Sequence, residues 1–393
     1  MRIALVIGEE SGDQLGAALI AAIRRLRPEA SFVGLAGERM QALGMDTLFP
    51  ISDVAVMGLG SVLAHLPRIA RRGYRTVAAV LGAEPDVLVI IDSPGFTHAV
   101  AKRVARRRPD LPIIDYVSPS VWAWRPGRAA RMARYVDHVL ALLPFEPAAH
   151  ARLGGPPCTY VGHPLIERLG ELRPAPGERR SLGGPLILVL PGSRQTEISR
   201  LMKPFGEAVR LIAAARPDVE LLLPAVPHLH EELMARSGMW PVQPTIVLGE
   251  AAKFAAFRRA HAALAASGTV TLELGLAGVP AVVAYRVDPV ARVLKRFLNV
   301  PSIVLTNLVL GENVVPEFLD EDGSPEVLAR ETLALLDEGP ARTAQLRALN
   351  RLEQQMSVSA PPSELAARIV VEAAEHGAGR RAAMLQRRPE IGT

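Results

Sequence analysis

Short apolar runs alternate with helix-like stretches through almost the whole chain, and this alternation restricts the fold more than any other feature. Ile3–Ile7, Val87–Ile91, Ile113-Ile114 and Val139–Leu143 read as strands, with helical segments such as Leu15–Leu26 and Ala99–Arg107 between them. Around Gly183-Gly184-Pro185 the pattern restarts with Leu186–Leu190 and continues through Val219–Leu223, Ala262–Ala265 and Ala281–Ala284. Strands alternating with helices give parallel sheets covered by helices. The expected fold class is therefore α/β, with two Rossmann-like, doubly wound domains facing across a cleft at the carboxyl ends of their strands. The expected domains are residues 1–170 and 171–360, followed by a C-terminal helix and basic tail at 361–393. The stretch Glu167–Gly184, rich in Pro, Gly and charge, is the expected linker.

Composition removes several function classes. At 393 residues and 49% hydrophobic, the chain can bury two substantial cores. A single cysteine, Cys158, leaves no disulfide framework and no thiolate metal cluster, which fits a reducing cytoplasm. The opening residues read as a strand entering a glycine turn rather than a signal peptide. The longest apolar stretch, roughly Ala260–Tyr285, is broken by Glu273, glycines and Pro280, so no transmembrane span is expected. The formal charge is +5, and only four of the 45 lysines and arginines are lysine. The pI near 9.7 favours an anionic partner. Aromatics at 4% argue against base-stacking platforms, and no nucleic acid is expected.

Several short motifs fall where such folds place their sites. Gly8-Glu-Glu-Ser-Gly-Asp13 follows the first strand; its glycines allow a tight turn and close approach, and Glu10, Ser11, Gly12 and Asp13 could hold sugar hydroxyls. It lacks the dinucleotide and P-loop fingerprints, so NAD and ATP are not expected. The alternative is a helix cap by Ser11 or Asp13. Val87–Ile91 ends in Asp92, a carboxylate at the tip of a buried strand and the candidate general base; the alternative is again a cap. Tyr116–Arg125 packs two of the chain's three tryptophans into a proline-containing loop with a cation, which suits a greasy, anionic ligand. Ser120, Trp122, Trp124 and Arg125 are its candidate contacts; the alternative is a packed loop. In the second half, Gly192, Ser193 and Arg194 follow a strand, and Ser267, Gly268 and Thr269 open a helix whose free amides suit a diphosphate. Glu273, one turn on, is placed to reach ribose hydroxyls. Val56, Met57, Leu59, Val62, Leu63, Leu66 and Ile69 recur at helical spacing ahead of a run of arginines, as in an interfacial helix on anionic lipid. A core-facing helix explains such a stripe equally well. His228 and His230 do not form a zinc motif, so neither metal nor cofactor is expected.

These motifs converge on one family. Glu9-Glu-Ser-Gly-Asp13, Val56-Met-Gly-Leu59, Ile91-Asp-Ser-Pro94, Tyr116–Arg125, Leu143-Pro-Phe-Glu146, Val161-Gly-His163, Leu190-Pro-Gly-Ser-Arg194 and Ser267-Gly-Thr269 resemble the lipid-A-disaccharide synthases, as do Asn307–Glu312 and Val315-Pro-Glu317. The resemblance runs in the family's order over about residues 1–375. It implies a GT-B glycosyltransferase that joins UDP-2,3-diacylglucosamine to 2,3-diacylglucosamine 1-phosphate, giving a β-1,6-linked disaccharide phosphate and UDP. The first domain would then take the acceptor and face the membrane, and the second would hold the UDP-sugar, with Asn307 and Glu312 completing the donor pocket. It further implies a peripheral protein on the cytoplasmic face of a Gram-negative inner membrane, and is compatible with a homodimer. The C-terminal helix would cross back onto the first domain or onto another subunit. Three positions depart from the family's habit: Gly95 where a second acid is common, Ser61 for an acid, and Asp115 for a histidine.

On this reading the acceptor 6-hydroxyl displaces UDP with inversion, Asp92 takes the proton, and the Ser267–Thr269 amides with Arg194 stabilise the departing diphosphate. The alternatives are another UDP-sugar enzyme of the same architecture, such as a 2-epimerase, or a basic non-catalytic nucleic-acid binder.

Overall fold

The computed structural model describes residues 1–55, 59–181, 184–286 and 301–377. The chain packs as two units, Met1–Pro164 with the segment from Val358, and Leu165–Ser357. In the first unit, β1 (Arg2–Ile7), β2 (Ser31–Leu35), β3 (Val87–Ile91), β4 (Ile113–Tyr116), β5 (His138–Ala141) and β6 (Cys158–Tyr160) form one sheet in the order β2-β1-β3-β4-β5-β6. Every pairing in it is parallel, and Ile7, Ile91, Tyr116 and Leu140 stand in register at the carboxyl ends of adjacent strands. The helices are α1 (Glu10–Leu26), α2 (Glu38–Ala42), α3 (Leu59–Gly82), α4 (Thr97–Arg107), α5 (Gly127–Met132) and α6 (Glu146–Arg152).

Alternation along β1 shows why both faces need cover. Ile3, Leu5 and Ile7 pack with Leu19, Ile20 and Ile23 of α1. Ala4 and Val6 turn the other way, towards Val77 and Val80 of α3 and Val100 and Val104 of α4. The last described helix, Pro362–His376, inserts Ala366, Ala367, Val370 and Val371 into the first of these cores. It is tied to the end of α1 by an Arg27–Glu375 pair at 2.6 Å.

The second unit repeats the plan. Its strands are β7 (Leu186–Leu190), β8 (Glu220–Ala225), β9 (Thr245–Leu248), β10 (Ala262–Ala266), β11 (Ala281–Tyr285) and β12 (Glu317–Leu319), in the order β12-β11-β10-β7-β8-β9 and all parallel. Around them lie α7 (Leu169–Leu172), α8 (Gln195–Ala215), α9 (His230–Ser237), α10 (Glu250–Arg259) and α11 (Thr269–Leu276). The expected linker Glu167–Gly184 is instead largely bonded into this unit: Arg173 Nε donates to Leu276 O at 2.9 Å, and Arg179 reaches the carbonyls of Phe257, Arg258, Ala277 and Gly278. In a doubly wound sheet, ligands bind where the winding reverses, beyond the strands' carboxyl ends. Here the winding reverses between β1 and β3 in the first unit and between β7 and β10 in the second. Among the described residues no helix is long and apolar enough to cross a membrane.

Candidate active site

The reversal in the first unit lies at Asp92. β3 is wholly buried up to Ile91, and the chain then turns through Asp92 and Ser93 with φ of 53° and 45°. Residues with side chains seldom take this left-handed backbone, and where they do it is often at a functional site. Several bonds hold the turn, four of them at Asp92 itself. Asp92 N donates to Tyr116 O at 3.1 Å, Thr97 Oγ1 donates to Asp92 O at 2.7 Å, Ser93 N donates to Asp92 Oδ1 at 2.7 Å, and Ser11 Oγ donates to Asp92 Oδ2 at 2.6 Å. Gly8 lets the β1 turn come this close, because a Cβ there would lie 2.5 Å from Ser93 Cβ. Ser11 and the half-buried Asp92 therefore meet at the switch point, with the exposed Glu10 beside Ser11 in the same turn.

Two neighbours of Ser11 have structural roles. Asp13 is buried, and its carboxylate accepts the amides of Arg39 at 2.8 Å and Met40 at 3.1 Å, so it caps α2 rather than standing free for a sugar. Gly12 is also buried, and an added Cβ would lie 3.2 Å from Ile91 O, so it serves close packing against β3.

The aromatic loop leaves the end of β4, next to Asp92. It begins with strain, Val117 at φ 88°. Ser118 Oγ lies 2.8 Å from His150 Nε2. Trp122 is half-buried; its indole N–H donates to Glu146 Oε1 at 3.2 Å, and its ring meets Phe145 edge-on at 5.1 Å. Glu146 Oε2 in turn accepts the amides of Leu142 and Leu143 at 3.2 and 3.0 Å. Burial pushes the Glu146 carboxyl up to about 7, against the pull of these donors. The Arg125 guanidinium lies 5.1 Å from the Trp124 ring centroid, and Ser120 and Arg125 are exposed. Glu146 carries no role in the sequence reading beyond ending the Leu143-Pro-Phe-Glu146 motif of the family resemblance. His98, six residues after Asp92, is buried, with Nδ1 2.9 Å from Tyr135 Oη and Nε2 3.2 Å from Asp115 Oδ2.

In the second unit a cavity of about 430 Å³ opens beyond the ends of β7, β8 and β10. Gly192, Ser193, Arg194, Ser267, Gly268, Thr269 and Glu273 all line it. Gly268, at φ 145°, leads into the first turn of α11, so the positive end of that helix borders the cavity. Lys253 of α10 also lines it, with Nζ 2.9 and 3.0 Å from the two carboxylate oxygens of Glu273. Nothing in the sequence marks Lys253, because its partner lies on another helix. Arg194 is engaged rather than free: Nη1 donates to Glu197 Oε1 at 3.1 Å, while Glu197 Oε2 accepts the amides of Ser193 and Arg194.

Two expected donor residues lie elsewhere. The buried Asn307 amide is consumed internally, with Nδ2 donating to Val315 O at 2.9 Å and Oδ1 accepting Val314 N and Val315 N. Glu312 is exposed and pairs with Arg351, outside the cavity lining. Of the expected membrane stripe, Val56 and Met57 lie outside the described residues, as do the side chains of Leu59, Val62 and Leu63. Leu66 is 52% exposed, whereas Ile69 packs against the core between α3 and the sheet.

The family model described as Lipid-A-disaccharide synthetase matches residues 3–370. A lipid-A-disaccharide synthase of Nitrobacter hamburgensis is 54% identical over 94% of this chain and 95% of its own. One of Bradyrhizobium diazoefficiens is 52% identical over 96% and 97%. Among solved structures, a putative UDP-N-acetylglucosamine 2-epimerase from Listeria monocytogenes superposes with a TM-score of 0.60 at 17% identity, covering 95% of each chain. The UDP-GlcNAc 2-epimerase from Neisseria meningitidis bound to UDP-GlcNAc gives 0.58 at 12% identity, covering 95% and 99%. These likenesses identify a GT-B fold, while the sequence matches separate the chain from the epimerases. The chain belongs to the lipid-A-disaccharide synthase family and is a glycosyltransferase.

Proposed function

We propose that the chain transfers the sugar of UDP-2,3-diacylglucosamine to the 6-hydroxyl of 2,3-diacylglucosamine 1-phosphate, forming the β-1,6-linked disaccharide phosphate and UDP. The observation that carries this reading is Asp92, a half-buried carboxylate held in strained backbone at a switch point, with Ser11 bonded to Oδ2. The donor is α-linked and the product β-linked, so a single in-line attack inverts the centre. Asp92 takes the hydroxyl proton as the acceptor oxygen attacks, and Ser11 orients the carboxylate. The start of α11 receives the charge that develops on the leaving diphosphate. Lys253 adds a cation there, and Glu273, held by Lys253, faces the ribose. Arg194 reaches the diphosphate by exchanging Glu197 for phosphate oxygen.

The loop from Ser120 to Arg125 takes the acylated acceptor, with its tryptophans against acyl chain and Arg125 towards phosphate. The helix α3 and its arginines hold the protein peripherally on the cytoplasmic face of the inner membrane. Within this reading no divalent ion is required, since helix amides and Lys253 carry the electrostatic work.

Asp92→Asn tests the assignment. The amide keeps the shape of the turn but cannot accept the proton. The expected kcat is ~10²–10⁴-fold lower, with UDP affinity and melting temperature unchanged, measured by UDP release and calorimetric titration. Full turnover in that variant would remove Asp92 from the chemistry.

A further inference from the structure

At the opposite end of the first sheet from Asp92, the carboxy-terminal half of α4 and the segment before β5 enclose a hollow of about 470 Å³ lined by Lys102, Arg106, Arg131, Arg134 and Tyr135. Lys102 and Arg106 are four apart on α4 and so share one face. No carboxylate lines this hollow. Among the described residues, no ion pair engages Lys102, Arg106, Arg131 or Arg134; the neighbouring acid Asp110 is paired with Arg108 at 2.8 Å. Arg106 also borders a second hollow of about 330 Å³ with Tyr74, Arg103 and Arg107.

The wall of the larger hollow is built rather than incidental. Tyr135 is buried and fixed from behind by His98, whose other nitrogen contacts the buried Asp115 of β4. The Lys102 ammonium sits 5.1 Å from the Tyr135 ring centroid. Burial and the charges of Arg128, Arg131, Arg106 and Arg103 together lower the Lys102 pKa. Crowded cations of this kind repel one another in the folded chain, and a multiply charged anion relieves that repulsion. Guanidinium forks match tetrahedral phosphate oxygens, and an ammonium adds a point charge.

We infer that Lys102, Arg106, Arg131 and Arg134 form a binding site for a phosphoryl group, separate from the transferase site and opposite it on the sheet. That group comes either from a free phosphorylated molecule or from a phospholipid head group. The inference rests on the first unit's own surface and stands independently of the substrates proposed above.

The test uses the full chain and the variant Arg106→Gln/Arg131→Gln, with inorganic phosphate by titration calorimetry and phosphatidylglycerol vesicles by flotation against phosphatidylcholine vesicles. Removing like charges leaves the melting temperature equal or higher, and Lys102→Gln serves as a second variant should the first fold poorly. Phosphate binding that weakens at least tenfold in the variant supports the site and identifies a free phosphoryl ligand. Vesicle capture that weakens at least tenfold in the variant, the α3 contact remaining, with phosphate bound weakly or not at all, supports it and identifies a head group. Binding of neither probe by the native chain overturns it, whether or not a long RNA is captured. Undiminished binding in both variants overturns it too. UDP binding is expected to stay unchanged throughout.

Discussion

Glu146 is a carboxyl held in an environment that disfavours its charge. It is 4% exposed, yet holds the Trp122 indole and two amides of its own turn. Its folded pKa, near 7, is raised above the ordinary 4.5. The folded chain therefore keeps its proton more readily than the unfolded chain. The stability linked to that proton is complete below about pH 4.5 and is lost as pH rises through about 7. A shift of this size corresponds to ~3 kcal/mol. Melting curves from pH 5 to 8 should show this decline in the native chain, and Glu146→Gln should lack that component of the slope. An identical pH dependence in both would assign the decline to other groups. Gly8 makes a complementary case: Gly8→Ala puts a Cβ 2.5 Å from Ser93 Cβ and separates Ser11 from Asp92. Turnover should fall at least tenfold with a small change in melting temperature, and unchanged turnover would mean the turn adapts. Sequence placed Ser11 and Asp92 after apolar strands but not their mutual bond, which joins residues 81 positions apart. It did not resolve Asp13 or Asn307, because whether a polar side chain faces a ligand or caps backbone depends on partners 26 residues away, or in the next loop.

Among the elements, burial decides what is legible. The eight strands read from apolar runs are the interior strands of the two sheets, such as β3 and β7 with every residue buried. The four that the sequence did not reveal, β2, β6, β9 and β12, are the edges. Each has a partner on one side only and is less buried, down to no fully buried residue in β6, β9 and β12. A continuous apolar run is the mark of cover on all sides, and edge strands lack that cover. The helix Pro362–His376 was legible as a helix, but its docking was not, since an apolar stripe does not name its partner. That docking gives a prediction. Val370 is fully buried between this helix and α1. Val370→Asp should destabilise the first unit by ~3 kcal/mol or more, through an unpaired buried charge. Urea unfolding would show it, and a change below ~0.5 kcal/mol would mean the helix is dispensable to that core.

For the whole molecule, the two units each carry their own core and their own switch point. Asp92 and Ser11 occupy the first, and the α11 cavity with Lys253 and Glu273 occupies the second. Family membership gives the reaction class, and the roles proposed for Asp92, Ser11, Lys253 and Glu273 are what the variants test. Some of the arginines gather around Lys102, at Arg103, Arg106, Arg107, Arg131 and Arg134. The central claim, transfer of an acylated sugar from UDP without a divalent ion, is tested most directly by turnover of the purified chain in detergent and EDTA. UDP-2,3-diacylglucosamine and 2,3-diacylglucosamine 1-phosphate would be supplied together and singly, with products read by mass spectrometry. The account predicts disaccharide phosphate and UDP only when both substrates are present. UDP release without acceptor, or no disaccharide although UDP binds, would contradict it.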